Sequence, residues 1–502
     1  MNTSKLLSGV VASGAAALGT AVGIWQLLDN FGDSYKPFAQ CVTQNHKNQP
    51  FLCKHGSLNP CSAQNIKTNH AISESRKFIK RMMLEQGIPG VQVAVSKNGR
   101  LLWTEGLGLA DVENGVACSA ESVMRIASIS KPLTAVGLFQ LWEEGLIDLD
   151  APVQTYVPSF PEKSCDGERV TITTRQLLCH MSGIRHYFKK GRDDSAELEA
   201  EEYYITSHYD SLDESLKIFA DDELLSKPGS EFYYSTHAWT LVGAVIERVS
   251  GNSFLHYMQR RVFSPLGMEA TKAEFNDQLL YNRARHYVRR ADGKLQNVPY
   301  VDLSYKWAGG GLVSTAKDLV RFGTAILTSY NEIENSKIHL SAKSVKIDAL
   351  VTTNQIADES SQSDKQDQNR NSNITKPNPN PILTPSSTKL MLGKIVNAFD
   401  SAQYPNLGYS LGWMVDEGEV GVACGQDSPL FFGHTGSAIG GSSVLLVFPD
   451  TRKCSELNCD CCDLCEGCEE CGARGVVVCV LFNLQGVNGV INLGTNIAKQ
   501  FS

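Results

Sequence analysis

The 502-residue chain has no long basic run. Its 46 lysines and arginines are outnumbered by 54 aspartates and glutamates, for a net charge of −8. That excludes nucleic acid as the main partner, because a nucleic-acid surface needs clustered positive charge. The folded part also lacks any grouping of His, Cys and Asp at the spacing of a hydrolytic metal centre, so no catalytic metal and no cofactor are expected. Fifteen cysteines do not make it a disulfide scaffold, because they are unevenly placed. Seven fall within residues 454–471, Cys41, Cys53 and Cys61 precede the folded part, and the rest are single, as buried small hydrophobes often are. Cysteine usage therefore leaves the redox compartment open. What remains is an ordinary globular composition, 42% hydrophobic and 20% charged, and a chain long enough for two packed lobes.

Charge is missing from residues 6–28, behind Lys5. The run is long enough to cross a bilayer and is rich in Gly, Ala and Ser. A membrane anchor, a secretory signal and an organelle-targeting segment compete for residues 1–35; the lack of arginine disfavours a plain matrix presequence. Residues 36–70 read as a polar linker and 71–502 as the folded domain. Three inserts interrupt it: an acidic surface run at 190–215, a Ser/Gln/Asp/Asn and Pro-Asn stretch at 355–388, and a Cys-rich loop at 452–474. The second has too little apolar surface to offset the entropy of ordering and is expected to be disordered.

Residues 73–85 carry apolar side chains at helical spacing. Residues 91–95 alternate as a strand, Asn98-Gly99 is a hairpin turn, and residues 100–109 return. Residues 151–328 read as mainly helical. Strand signals come back at 409–415, 430–433, 443–448 and 475–483, before a final helix at 490–501. The expected fold is α+β: an antiparallel sheet, built from both ends of the domain and flanked by helices, with a mainly helical second lobe.

The chemistry centres on Ser128-Ile129-Ser130-Lys131-Pro132. Pro132 suits the first turn of a helix that runs through Leu133, Val136, Leu138 and Leu141 to Gly145. Residues three apart share a helix face, so Lys131 reaches the Ser128 hydroxyl. A serine hydroxyl is a poor nucleophile until a neighbouring base takes its proton. Ser-x-x-Lys alone is weak evidence, since most such tetrapeptides lie on solvated helices. Two further stretches give it weight: Tyr234-Ser235-Thr236 before a helical pattern, and His434-Thr435-Gly436-Ser437 before a glycine-rich turn and a strand.

Ser-x-x-Lys, Tyr-Ser-x and His-Thr-Gly, in that order, resemble the serine beta-lactamase and penicillin-binding protein superfamily. Residues 174–184, 265–268, 308–315 and 411–413 resemble its class C and esterase-like branch. Residues 125–131, 182–187, 281–285 and 305–311 are similar to a mitochondrial beta-lactamase-like group found in animals. The resemblance implies that Ser128 is the acyl-accepting nucleophile, that Lys131 holds or relays its proton, and that Tyr234 is the acid–base partner. It implies that His434 acts electrostatically or binds a substrate carboxylate, and that the N–H groups of Ser128 and Ser437 form an oxyanion hole. Thr236, Thr435 and Gly436 would contact substrate. Thr236 departs from the usual asparagine, which bears on lactam recognition more than on acyl transfer. His180, His186 and His237 are expected to be structural or supporting.

Two readings of the Cys462, Cys465, Cys468, Cys471 series stay open: a non-catalytic metal or disulfide loop, and a low-complexity insertion whose acidic neighbours oppose thiolate formation. The functional expectation is a serine hydrolase, a peptidase acting on a peptide or protein. An esterase or weak beta-lactamase is one alternative, and a filament-forming scaffold with little turnover another. The resemblance further implies the mitochondrial intermembrane space, inner-membrane association, a tie to lipid metabolism, and a homo-oligomer or filament. A single-pass anchor in another compartment is the alternative location.

Overall fold

A computed structural model describes residues 60–187, 201–347, 381–398, 406–418, 430–450 and 473–502. Residues 67–502 form one compact unit. The helix expected over 73–85 is longer, α1 (Pro60–Gln86). The alternating pattern then becomes β1 (Gly90–Lys97), which turns into β2 (Arg100–Asp111). Asn98 and Gly99 both take positive φ, 48° and 76°, the twist a two-residue hairpin requires. The short β3 (Val116–Ala117) closes that edge of the sheet.

Next come the helices α2 (Ser130–Glu143), α3 (Thr236–Ser250) and α4 (Ala316–Ile347). The later strands are β4 (Leu407–Tyr409), β5 (Met414–Asp416), β6 (Phe431–Ala438), β7 (Gly441–Pro449) and β8 (Gly475–Phe482). Helix α5 (Val490–Phe501) ends the chain. The sheet order is β4-β5-β6-β7-β8-β1-β2-β3, antiparallel throughout. Strands from both ends of the chain thus meet at the β1–β8 pair, as expected of an α+β fold of this type.

β8 explains why this sheet has helices on both faces. All eight of its residues are buried. Side chains alternate across a strand, so Val477, Cys479 and Leu481 enter one core with α2, α3 and α4. Val476, Val478, Val480 and Phe482 enter the other, with Ile79 and Met83 of α1 and Leu493, Ile497 and Phe501 of α5.

Three expectations are corrected. The single strand foreseen at 409–415 is two strands, β4 and β5, because Gly412 turns the chain with φ at 92°. The acidic insert is not surface to its end: Tyr203 and Leu212 are 3% and 0% exposed, and Glu202 is drawn in by Arg185 and His237. The low-complexity insert ends before residue 381. Buried Leu383 precedes a helix, Pro385–Leu392, that Thr384 caps by accepting the Ser387 N–H. Residues 1–35 and the Cys462, Cys465, Cys468, Cys471 series lie outside the described residues. Among the described residues no helix is long and apolar enough to cross a membrane.

Candidate active site

Ser128 sits on a single 3₁₀ turn, Ala127–Ile129, that feeds directly into α2. Ala127 just before it is buried with φ at 49°, a left-handed conformation that costs an alanine roughly 1–2 kcal/mol. The turn is held from two sides. The Ser130 hydroxyl donates to the Ala127 carbonyl at 2.7 Å, and the Ser443 hydroxyl of β7 donates to the Ile126 carbonyl at 2.8 Å. Backbone strain of this kind persists only where surrounding structure fixes it.

Lys131 is fully buried one helical turn on. Its Nζ donates to Ser128 Oγ at 3.0 Å, to the Gly309 carbonyl at 2.6 Å and to Thr236 Oγ1 at 3.5 Å. Tyr234 is the residue before the N-cap of α3, whose cap Ser235 accepts the Ala238 N–H at 3.0 Å. Its hydroxyl donates to Ser128 Oγ at 2.7 Å. Lys131 Nζ also lies 4.7 Å from the centre of the Tyr234 ring. Residues 106 apart in sequence therefore converge on one oxygen.

The third stretch forms the facing wall. β5 pairs with β6 only as far as Gly433, so in the described sheet the β5-side edge of residues 434–438 carries no strand. That edge runs beside the Ser128 turn. A Cβ on Gly436 would lie 2.5 Å from the Ile126 carbonyl oxygen and 2.9 Å from the Ala127 Cβ, so only glycine admits this approach. Ser128, Tyr234, Thr236, His434, Thr435 and Ser437 line one cavity of about 410 Å³. Gly436 instead lies at the packed contact behind the wall.

His434 is a buried residue of this wall. Burial and the Lys131 charge push its pKa down to about 3. Its Nδ1–H donates to the Thr435 carbonyl, and Nε2 accepts from the Tyr409 hydroxyl at 2.9 Å. Burial holds Tyr409 protonated, well above its ordinary pKa. A neutral imidazole with both nitrogens engaged shapes the wall. Thr236 lines the cavity beside Lys131. Its hydroxyl is within reach of Lys131, and its backbone N–H donates to His186 Nδ1 at 3.2 Å.

Several wall residues had no motif to announce them. Tyr409 read only as the start of a strand. Lys306, 3% exposed, reaches the cavity with its ammonium 5.0–5.1 Å from the rings of Tyr187, Tyr203 and Tyr305. Its sequence signal is its place in the 305–311 stretch, between aromatics just before the Ala308–Gly311 run. His186 lines the cavity, whereas His237 is fully buried against Glu202. Burial drives the His237 pKa to about 4; burial also resists the Glu202 charge, but bonds from His237 and Arg185 hold that carboxyl at about 2.

A strained serine turn, a buried lysine and a tyrosine on one oxygen, and an open strand edge opposite are the parts of a serine beta-lactamase-type hydrolase. Residues 75–499 match the beta-lactamase family, and the chain belongs to it. The chain is 36% identical over 486 residues to the human serine beta-lactamase-like protein LACTB, mitochondrial, covering 86% of this chain and 80% of that one. Among solved structures, EstCE1, a hydrolase with promiscuous acyltransferase activity, superposes with a TM-score of 0.60 at 19% identity, covering 87% of this chain and 99% of its own. The octameric penicillin-binding protein homologue from Pyrococcus abyssi gives 0.58 at 20%, over 84% and 75%. These two show the same fold.

Proposed function

We propose that the protein is a serine hydrolase that works through an acyl-enzyme on Ser128, and that it acts as a peptidase. The observation that carries this reading is Ser128 Oγ held at 3.0 Å from Lys131 Nζ and 2.7 Å from the Tyr234 hydroxyl. Oγ accepts both bonds, so it keeps its own proton until Lys131 or Tyr234 gives one up. The deprotonated partner then takes the Oγ proton as Oγ attacks the substrate carbonyl. Charge developing on that carbonyl oxygen falls to the N–H groups of Ser128 and Ser437. The leaving amine takes the proton from the Tyr234–Lys131 pair, and water repeats the sequence on the acyl ester.

The test is covalent labelling by a fluorophosphonate. The wild type should label, Ser128→Ala should not, and Lys131→Ala should label at least ~100-fold more slowly. A folded wild type that does not label would overturn the acyl-enzyme and leave the scaffold reading. An esterase is the second reading, favoured by Thr236: its hydroxyl faces Lys131 where a carboxamide would bind a substrate amide. Turnover of a peptide library against chromogenic esters and a chromogenic lactam separates the classes, and cleavage of esters alone would retire the peptidase.

Similarity to mitochondrial LACTB supports a mitochondrial location. With the sequence resemblance it extends the proposal to the intermembrane space, inner-membrane association and an influence on lipid metabolism. Assembly into a homo-oligomer or filament belongs to the same reading. Fractionation of mitochondria and electron microscopy of the purified chain test these points; a soluble matrix monomer would contradict them.

A further inference from the structure

His180 lies on the loop after the helix Thr174–Leu178 and belongs to none of the three motifs. It is fully buried, and its φ is 60°. A bulky side chain in that left-handed region is uncommon, although histidine is among the residues that tolerate it. The conformation turns two acceptors of one residue toward one short stretch of chain. The His180 carbonyl accepts the Tyr233 N–H at 2.9 Å, and His180 Nδ1 accepts the Ser235 N–H at 3.0 Å. These are the residues on either side of Tyr234. Between them the His180 ring lies against the Tyr234 ring, centre to centre 4.3 Å at 34°.

Three more rings stand around the imidazole. Phe232, Trp239 and Tyr409 stand 5.6, 6.3 and 4.8 Å away, centre to centre. Because Nδ1 accepts, the proton of the neutral ring sits on Nε2, and among the described residues Nε2 has no hydrogen-bond partner. A buried donor left unpaired costs on the order of 1–3 kcal/mol. An apolar side chain of similar size would avoid that cost, but it would fit the left-handed backbone less well and would lose the acceptor for Ser235.

We propose that His180 is the positioning residue for Tyr234, clasping the backbone on both sides of it and backing its ring so that the phenol stays on Ser128. The inference rests on the reading of Ser128 and Tyr234 as the reacting pair. A shift of about 1 Å in such a pair is enough to cost ~100-fold in rate. Imidazole nitrogen and carboxamide oxygen are both acceptors, and asparagine also tolerates φ > 0. His180→Asn therefore conserves both acceptors, and His180→Leu keeps the backbone carbonyl but removes the side-chain acceptor and the ring.

The experiment is a double-mutant cycle read by the rate of fluorophosphonate labelling, with thermal melts to establish folding. His180→Leu is expected to slow labelling ~100-fold, with His180→Asn recovering to within about tenfold of wild type. In the Tyr234→Phe background, adding His180→Leu is expected to cost less than about threefold, because the group it positions is already gone. A merely structural role predicts that the two losses multiply, and that result, or wild-type labelling by folded His180→Leu, overturns the proposal. If His180→Leu has no cooperative melt, the same cycle with His180→Asn decides it by the same criterion. Absence of labelling at Ser128 in wild type, or wild-type labelling by Tyr234→Phe, would instead sink the underlying Ser-Lys-Tyr reading. The two failures are thus told apart.

Discussion

At the scale of single residues, the site depends on what is missing from a side chain as much as on what is present. Gly436 lets β6 come within touching distance of the Ser128 turn, and so brings Ser128 and Ser437 to one cavity. Gly436→Ala must push a methyl against the Ile126 carbonyl, which sits in backbone held by the Ser443 hydroxyl and cannot retreat cheaply. The expected cost is about 1–3 kcal/mol of stability from overpacking, with a fall of at least about tenfold in fluorophosphonate labelling. A denaturant midpoint and a labelling rate check the two parts separately. Labelling at the wild-type rate would mean that the distance between β6 and the serine turn does not matter.

At the scale of elements, a buried arginine ties the Ser128 segment to Glu274 by an ion pair and to the end of β6 by a hydrogen bond. Arg125 ends the short strand Met124–Arg125, three residues before Ser128. Its Nε donates to Glu274 at 2.6 Å, with both side chains at most 6% exposed, and its Nη1 donates to the Ile439 carbonyl at 2.7 Å, just past β6. Burial would neutralise Glu274, but the Arg125 charge prevails and holds the carboxyl below its ordinary range. Removing one partner strands a buried charge. Arg125→Met is expected to cost about 3–5 kcal/mol, and Arg125→Met with Glu274→Leu substantially less, because nothing charged is left behind. Chemical denaturation of the two variants checks this; equal losses would mean that the pair's partners are independent.

At the scale of the whole molecule, buried neutral histidines set how stability depends on pH. Burial lowers the pKa of His237 to about 4 and of His286 and His434 to about 3, and that of His180 well below 6.5. Each stays neutral in the folded chain but takes up a proton near pH 6.5 when unfolded. The unfolded state then binds more protons, so stability is lost as pH falls below about 6.5, by up to ~1.4 kcal/mol per pH unit for each histidine. Glu202, held at about 2, acts in the same direction at lower pH, losing its contribution as pH falls from about 4.5 toward 2. The melting temperature should therefore drop steadily between pH 7 and pH 4. A flat profile would mean that these imidazoles are solvated. The same values put His434 out of the working range, so a limb near pH 6 in the rate profile must come from another group.

The sequence by itself determined the periodic elements and the choice of Ser128 as the candidate nucleophile. Alternation and turn residues are local signals, and β1, the Asn98-Gly99 turn, β8 and α5 follow from them. The Ser128–Lys131 pair is local too, since one helical turn brings its members together. Tyr234 and the His434-Thr435-Gly436-Ser437 stretch were legible through their order, though nothing local places them on Ser128. Only the tertiary structure decided the charge of His434, which depends on desolvation by distant residues. It also decided the pairing of Glu202 with Arg185 and His237, and the places of His180 and Lys306 beside the reacting groups. Burial and proximity between segments are properties of the packed chain, and no short window of sequence carries them.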